Sequence, residues 1–153
     1  MRLSKKAKYG IRSLICLARR DHGGSMLAAT IAREEKIPRK YLELILLEFK
    51  NAGLLISKPG KGGGYRLKRP ASEITLSQIL LLMEGSMAPV SCLGQTPPGI
   101  CDDCPGEQKC VIREVMGKAH EIFIKTLDRI TLEFMVHEFH RLNTTGADFE
   151  VRI

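Results

Sequence analysis

The sequence contains no tryptophan, and aromatic residues make up only 5% of it. It has no apolar run near the roughly 18–20 residues that span a bilayer. Its first residues, Met1-Arg2-Leu3-Ser4-Lys5-Lys6, lead into a charged amphipathic stretch rather than the apolar core of a signal peptide. A secreted or integral membrane protein is therefore not expected, and the cytoplasm is the expected location. No Ser–His–acid order, nucleotide loop or paired acids in a plausible pocket stands out, so the chain is not expected to be an enzyme. Disorder is excluded too, because 44% of the residues are hydrophobic. The 153 residues fit one domain, or one small domain with an appendage.

What the chain does have is charge, unevenly placed. The net charge is +7, yet residues 1–70 hold 17 Lys and Arg against 5 Asp and Glu, a net of +12. Residues 71–153 hold 7 against 12, a net of −5. A basic half joined to an acidic half suggests that one meets a polyanion and the other does something else. Charge alone is equally compatible with an unevenly charged solvated surface.

The order of elements in the basic half is more specific. Ser4 suits the N-cap of a helix over about 5–20, with Ala7, Ile11, Leu14, Ile15 and Ala18 as its apolar stripe. Cys16 in this helix reads as a small core or surface residue. Asp21-His22-Gly23-Gly24 breaks the helix. A short helix near 27–34 follows, and Pro38 suits the first position of a third helix running to about Asn51. Leu42, Ile45, Leu46 and Phe49 form that helix's buried stripe, and Gly53 suits its C-terminal cap. A short helix, a turn and a longer helix make a helix-turn-helix pattern, whose second helix presents its N-terminal residues to the major groove. Those residues are Arg39, Lys40, Tyr41 and Glu43. Arg and Lys can contact phosphate or guanine, and a Glu carboxylate can accept from cytosine N4. Two short strands, 54–57 and 65–67, then flank Lys58-Pro59-Gly60-Lys61-Gly62-Gly63-Gly64. That is a hairpin, and after a recognition helix it reads as a wing whose glycines let backbone approach DNA. It lacks the Gly-Lys-Ser/Thr ending of a nucleotide-binding loop.

In the acidic half, Thr75 and Gln78 form a capping box for a helix ending near Gly85. Beyond a Gly/Pro-rich loop, Ile112, Met116, Ala119, Phe123, Leu127, Ile130 and Phe134 step by three or four, as one long helix over 111–142. So long an apolar stripe needs a partner, either its own domain or the same helix of a second subunit. The loop carries Cys92, Cys101, Cys104 and Cys110 in a C-x8-C-x2-C-x5-C spacing. Four thiolates suit tetrahedral zinc, and three or four suit an iron–sulfur cluster; spacing does not separate them. His137 and His140 read as surface residues, and 143–153 as a frayed tail.

Several stretches resemble the IscR/NsrR/CymR (Rrf-two) family of bacterial winged-helix regulators. They are Leu3-Ser4-Lys5-Lys6-Ala7-Lys8-Tyr9-Gly10, Ile37-Pro38-Arg39-Lys40-Tyr41-Leu42-Glu43, Asn51-Ala52-Gly53-Leu54 and, above all, Lys61-Gly62-Gly63-Gly64-Tyr65-Arg66-Leu67. The resemblance extends to about residue 135. It implies a mainly α fold with a small β-hairpin wing: a winged helix-turn-helix over 1–85, an effector loop over 86–110 and a dimerisation helix over 111–142. It also implies a homodimer on a near-palindromic double-stranded operator, with Arg39, Lys40, Tyr41 and Glu43 in the major groove. Lys58, Lys61 and Gly62 would act at the wing, and Arg2, Lys5 and Lys8 on phosphates. In cluster-binding members three cysteines precede the long helix, with five residues between the last two. Cys104 and Cys110 match that pair, and Cys92 matches the first across a longer gap. Two departures bear on the fourth ligand. IscR-type members have His where this chain has Arg113, and NsrR-type members have an acid where it has Lys8. Cys101 is the obvious substitute, with a ligand from the second subunit or a thiol cofactor as alternatives. An iron–sulfur cluster, two-iron or four-iron, is expected, and the alternatives are zinc or a cluster-free thiol switch. An iron–sulfur carrier or electron-transfer protein, and a protein-docking module, are the readings from other classes.

Overall fold

The computed structural model describes residues 2–20, 24–94, 99, 101, 104, 106 and 108–144. Helix α1, Lys5–Ala18, starts where the Ser4 side chain accepts from the Ala7 N–H at 3.0 Å. Helices α2, Ala28–Glu34, and α3, Arg39–Asn51, follow. Pro38 is the N-cap of α3 rather than its first residue. Gly53 lies one residue past the Ala52 C-cap, at φ +77, in the left-handed region its lack of a Cβ permits.

The turn between α2 and α3 sets the direction of the recognition helix. Lys36 sits there at φ +51, the single non-glycine with positive φ among the described residues. Around it the Ile37 N–H reaches the Ala32 carbonyl at 2.9 Å and the Lys36 N–H reaches the Arg33 carbonyl at 3.4 Å. These two bonds form a Schellman closure of α2, with lysine where glycine is usual. Ile37, 4% exposed, is held in the core just beyond it.

Strands β1, Leu55–Lys58, and β2, Gly64–Leu67, pair antiparallel with Leu55 opposite Leu67 and Lys58 opposite Gly64. Met26 adds a further bridge by exchanging two backbone hydrogen bonds with Tyr65. The wing is thereby tied to the segment that leads into α2. Helix α4, Leu76–Glu84, begins with the full capping box of Thr75 and Gln78 and ends at Gly85. A short helix, α5, spans Ser91–Gly94.

The stripe read as one long helix is two. Helix α6 runs Val111–Arg129 and α7 runs Leu132–Thr144, with Ile130 extended between them. The tripeptide Ile-Thr-Leu occurs twice, at 74–76 and 130–132, and the two copies pair with each other. The Leu76 N–H donates to the Ile130 carbonyl and the Leu132 N–H to the Ile74 carbonyl, both at 2.7 Å. Thr131 then accepts from the Phe134 N–H, as Thr75 does from Gln78. A helical register through 130–131 would forfeit all of these bonds. Asn143 and Thr144 continue α7, each side chain bonding the carbonyl four residues back. The rest of the tail lies outside the described residues.

One core gathers Leu14 of α1, Ile31 of α2, Leu42, Ile45, Leu46 and Phe49 of α3, Leu54, Ile74, Ile79 and Leu80, all within 2% of complete burial. Leu127 and Leu132 bring the α6–α7 junction into it. Gly10 lets α1 pack closely on its neighbours, since a Cβ there would lie 3.0 Å from both Phe49 and Met83.

Candidate nucleic-acid interface and cysteine loop

The core-facing residues of α3 leave its first turn open to solvent. Arg39, Lys40 and Tyr41 are exposed and Glu43 is half-buried. Arg39 Nε donates to Glu43 Oε1 at 2.8 Å, one helical turn away. Tyr41 meets the Tyr9 ring of α1 edge-on, with centroids 5.9 Å apart. Lys58, Lys61 and Gly62 lie exposed at the wing tip. There the Gly63 N–H closes a turn onto the Gly60 carbonyl at 2.9 Å, with Gly60 and Gly62 at φ +86 and +78. Two further wing glycines are required by space. A Cβ on Gly63 would fall 2.1 Å from the Lys58 carbonyl oxygen, and one on Gly64 2.3 Å from that of Met26.

A cleft between the start of α3 and the wing is lined by Leu27, Arg39, Lys50, Lys58, Gly60 and Tyr65. The sequence reading missed Lys50. Its signal was its distance of eleven residues from Arg39, close to three helical turns and so the same face. Arg2, Lys5 and Lys8 lie exposed before and within the first turn of α1. Among the described residues, Lys5, Lys8, Lys40, Lys58 and Lys61 have no carboxylate partner, whereas Lys6 pairs with Glu48 at 2.7 Å. Behind this face Glu35 binds Arg12 and Arg19, and Glu34 binds Arg20. The cationic charge from Arg12 to Arg20 is thus consumed internally. Among the described residues, the cations without a carboxylate partner include those on α1's first turns, Lys40 at the start of α3 and those of the wing.

The cysteines divide into a buried one and four in the loop. Cys16 is 1% exposed, with its thiol 3.6 Å from Glu34. Burial first, then the Glu35 and Glu34 carboxylates, push its pKa up to about 11. Cys92 lies in α5 and Cys110 is the N-cap of α6, its sulfur accepting from the Arg113 N–H at 3.4 Å. Cys101 and Cys104 share one turn, closed by the Cys104 N–H on the Cys101 carbonyl at 3.1 Å. The Cys92 thiol is raised above its ordinary pKa by partial burial and then by Cys101 beside it, with Arg113 opposing. Cys92 and Cys101 are therefore neighbours. The four thiols are the right kind of donor for a soft metal centre. Their placement does not assemble one: among the described residues no three His, Cys, Asp or Glu side chains converge as a metal site. The neighbours of α5 are plain, Leu93 packing over Gly117 of α6 and Gly94 against Ser86 and Ala88. A further hollow between residues 86–89 and α6 is mostly apolar, lined by Met87, Met116, Ala119 and Phe123 with His120 beside them. No described helix is long and apolar enough to cross a membrane.

Residues 3–138 match the model of the Rrf2 family, described as iron-dependent transcriptional regulators. The chain is 33% identical over 137 residues to an Rrf2-like HTH-type transcriptional regulator of Rhodobacter capsulatus, covering 88% of this chain and 91% of that one. Its fold is similar to that of CymR, the global cysteine regulator of B. subtilis, with a TM-score of 0.68, 27% identity and coverage of 90% and 98%. It is also similar to IscR of T. potens, with a TM-score of 0.69, 25% identity and coverage of 90% and 88%. These relatives are transcriptional regulators and not enzymes.

Proposed function

The chain belongs to the Rrf2 family of transcriptional regulators, and on that premise we propose that it is a cytoplasmic, homodimeric repressor or activator that grips a near-palindromic operator and senses its signal through the cysteine loop. One observation carries the DNA-binding part. The open first turn of α3 and the wing tip flank a single cleft, and the cations around it are free of carboxylate partners apart from Arg39. Two such faces, roughly one helical turn of DNA apart, match successive major grooves. Lys5, Lys8 and Arg2 supply phosphate contacts. Titrating promoter DNA from its own operon by fluorescence anisotropy tests this. Affinity should fall steeply with salt as counterions are released, and binding without a salt slope would reject the phosphate contacts.

For the sensor, Cys92, Cys104 and Cys110, with Cys101 as fourth thiolate, would hold an iron–sulfur cluster. Such a cluster would supply a redox-sensitive covalent tie between α5, the loop and the start of α6. The donor chemistry supports this reading. The neighbouring Cys92 and Cys101 favour a second reading, a cluster-free thiol switch. Anaerobic purification with visible absorption, iron and acid-labile sulfide analysis separates the two, and also separates both from a zinc site. A colourless, zinc-loaded protein would reject the cluster.

A further inference from the structure

The outer pole of α3 carries two leucines that the contacts above leave unused. A helix turns about 100° per residue, and the buried Leu42, Ile45, Leu46 and Phe49 mark its inward side. Diametrically outward stand Lys40, Leu44 and Leu47, with Glu43 on the shoulder. Leu44 is 59% exposed and Leu47 is 46% exposed. A single exposed leucine is ordinary. Two on successive turns, at the part of the helix farthest from the core and next to Lys40 and Glu43, form a narrow apolar strip inside a charged surround.

The spacing is informative. Lys40, Glu43, Leu44 and Leu47 fall at i, i+3, i+4 and i+7, the spacing by which a homeodomain recognition helix lays four side chains along the groove floor. From Lys40 to Leu47 the helix rises about 10 Å, roughly three base steps. The charge around the strip suits a polyanion. In the major groove the apolar group a base edge offers is the thymine 5-methyl.

We propose that Leu44 and Leu47 are specificity residues that pack on thymine 5-methyl groups, so that each half-site requires thymine at one or two positions. The proposal rests on the DNA-binding reading. The test first selects a binding site from a random duplex library with the full chain. Each thymine of a half-site is then replaced singly by deoxyuridine, which keeps the pairing and every major-groove donor and acceptor but lacks the methyl. At one or two positions the affinity should fall about fourfold, the worth of one buried methyl-sized group. Leu44→Ala or Leu47→Ala should abolish that sensitivity at its own position, and Leu44→Met should keep it. Both leucines are exposed, so the alanine variants should melt as wild type does. Tolerance of uracil at every position would overturn the proposal, as would identical losses in both alanine variants. An alanine variant that changes the oligomeric state but not the uracil profile would assign the strip to a second copy of the chain instead. Failure to select any sequence would reject the DNA-binding reading itself.

Discussion

At the residue scale, pairing and burial decide what a side chain can do. Glu43 is half of an ion pair with Arg39, an exposed contact of the kind that contributes about 0.3–0.5 kcal/mol. Its role in the fold is therefore small and its role at DNA can be isolated. Glu43→Ala should leave the melting temperature within about a degree or two while relaxing base preference at one operator position more than it weakens binding overall. Equal loss on all sequences, measured across a panel of operator variants, would refute that role. Cys16 is the opposite case. Its raised pKa means the folded protein holds the thiol proton more tightly than the unfolded chain does. Below pH 9 both states are protonated and the group contributes nothing to pH dependence. Between about 9 and 11 the unfolded chain loses the proton first, so stability should fall as pH rises. Urea melts at pH 8 and 10 should show a steeper loss for wild type than for Cys16→Ala, and at pH 7 iodoacetamide should label the loop cysteines and spare Cys16. Rapid labelling of Cys16 in the native state would contradict its burial.

At the element scale, the wing shows why a glycine run must be written as it is. Gly64 holds φ +127 with the Met26 backbone against it. Gly64→Ala would add a Cβ where the Met26 carbonyl sits, so the Met26–Tyr65 rung should break. The expected result is unchanged helical circular dichroism, a stability loss of about 1–3 kcal/mol, and a clear loss of DNA affinity. Wild-type DNA affinity in the Gly64→Ala variant would show that the rung does not position the wing. The helix-turn-helix and hairpin were legible in the sequence because periodicity, Pro38 and the glycines are local signals. The capping box at Thr75 was legible for the same reason. The break in the C-terminal helix was not, because the stripe from Ile112 to Phe134 stays in phase across it. Its cause is a long-range pairing of two Ile-Thr-Leu segments, visible in the sequence only as a repeated tripeptide. The cysteine spacing names a donor type, but no pattern of spacing shows that Cys92 and Cys101 become neighbours while Cys110 caps a helix.

At the scale of the whole molecule, the uneven charge coincides with a division of surfaces. The basic half presents the cleft and the wing, and the acidic half presents α6. On α6, Val111, Ile112, Val115 and Ile122 are each more than half exposed, and Phe123 is 37% exposed. They recur at helical spacing along an element about 28 Å long, whereas the junction residue Leu127 is buried in the protomer's own core. The protomer therefore settles the end of α6 and leaves this outer face of it exposed, an apolar strip of the kind that marks an interaction surface. Covering it with the same strip of a second copy buries both at once and brings two recognition helices under one frame. Ile122→Glu places a charge in the middle of that strip without touching the protomer's core, so the variant should fold with wild-type helix content. It should sediment as a monomer, and its affinity for a two-half-site operator should fall about a hundredfold or more, because the second half-site no longer binds at a high effective concentration. Affinity for a single half-site should stay at the wild-type level. A variant that remains dimeric and binds the full operator as wild type does would place the dimer contact elsewhere on the molecule.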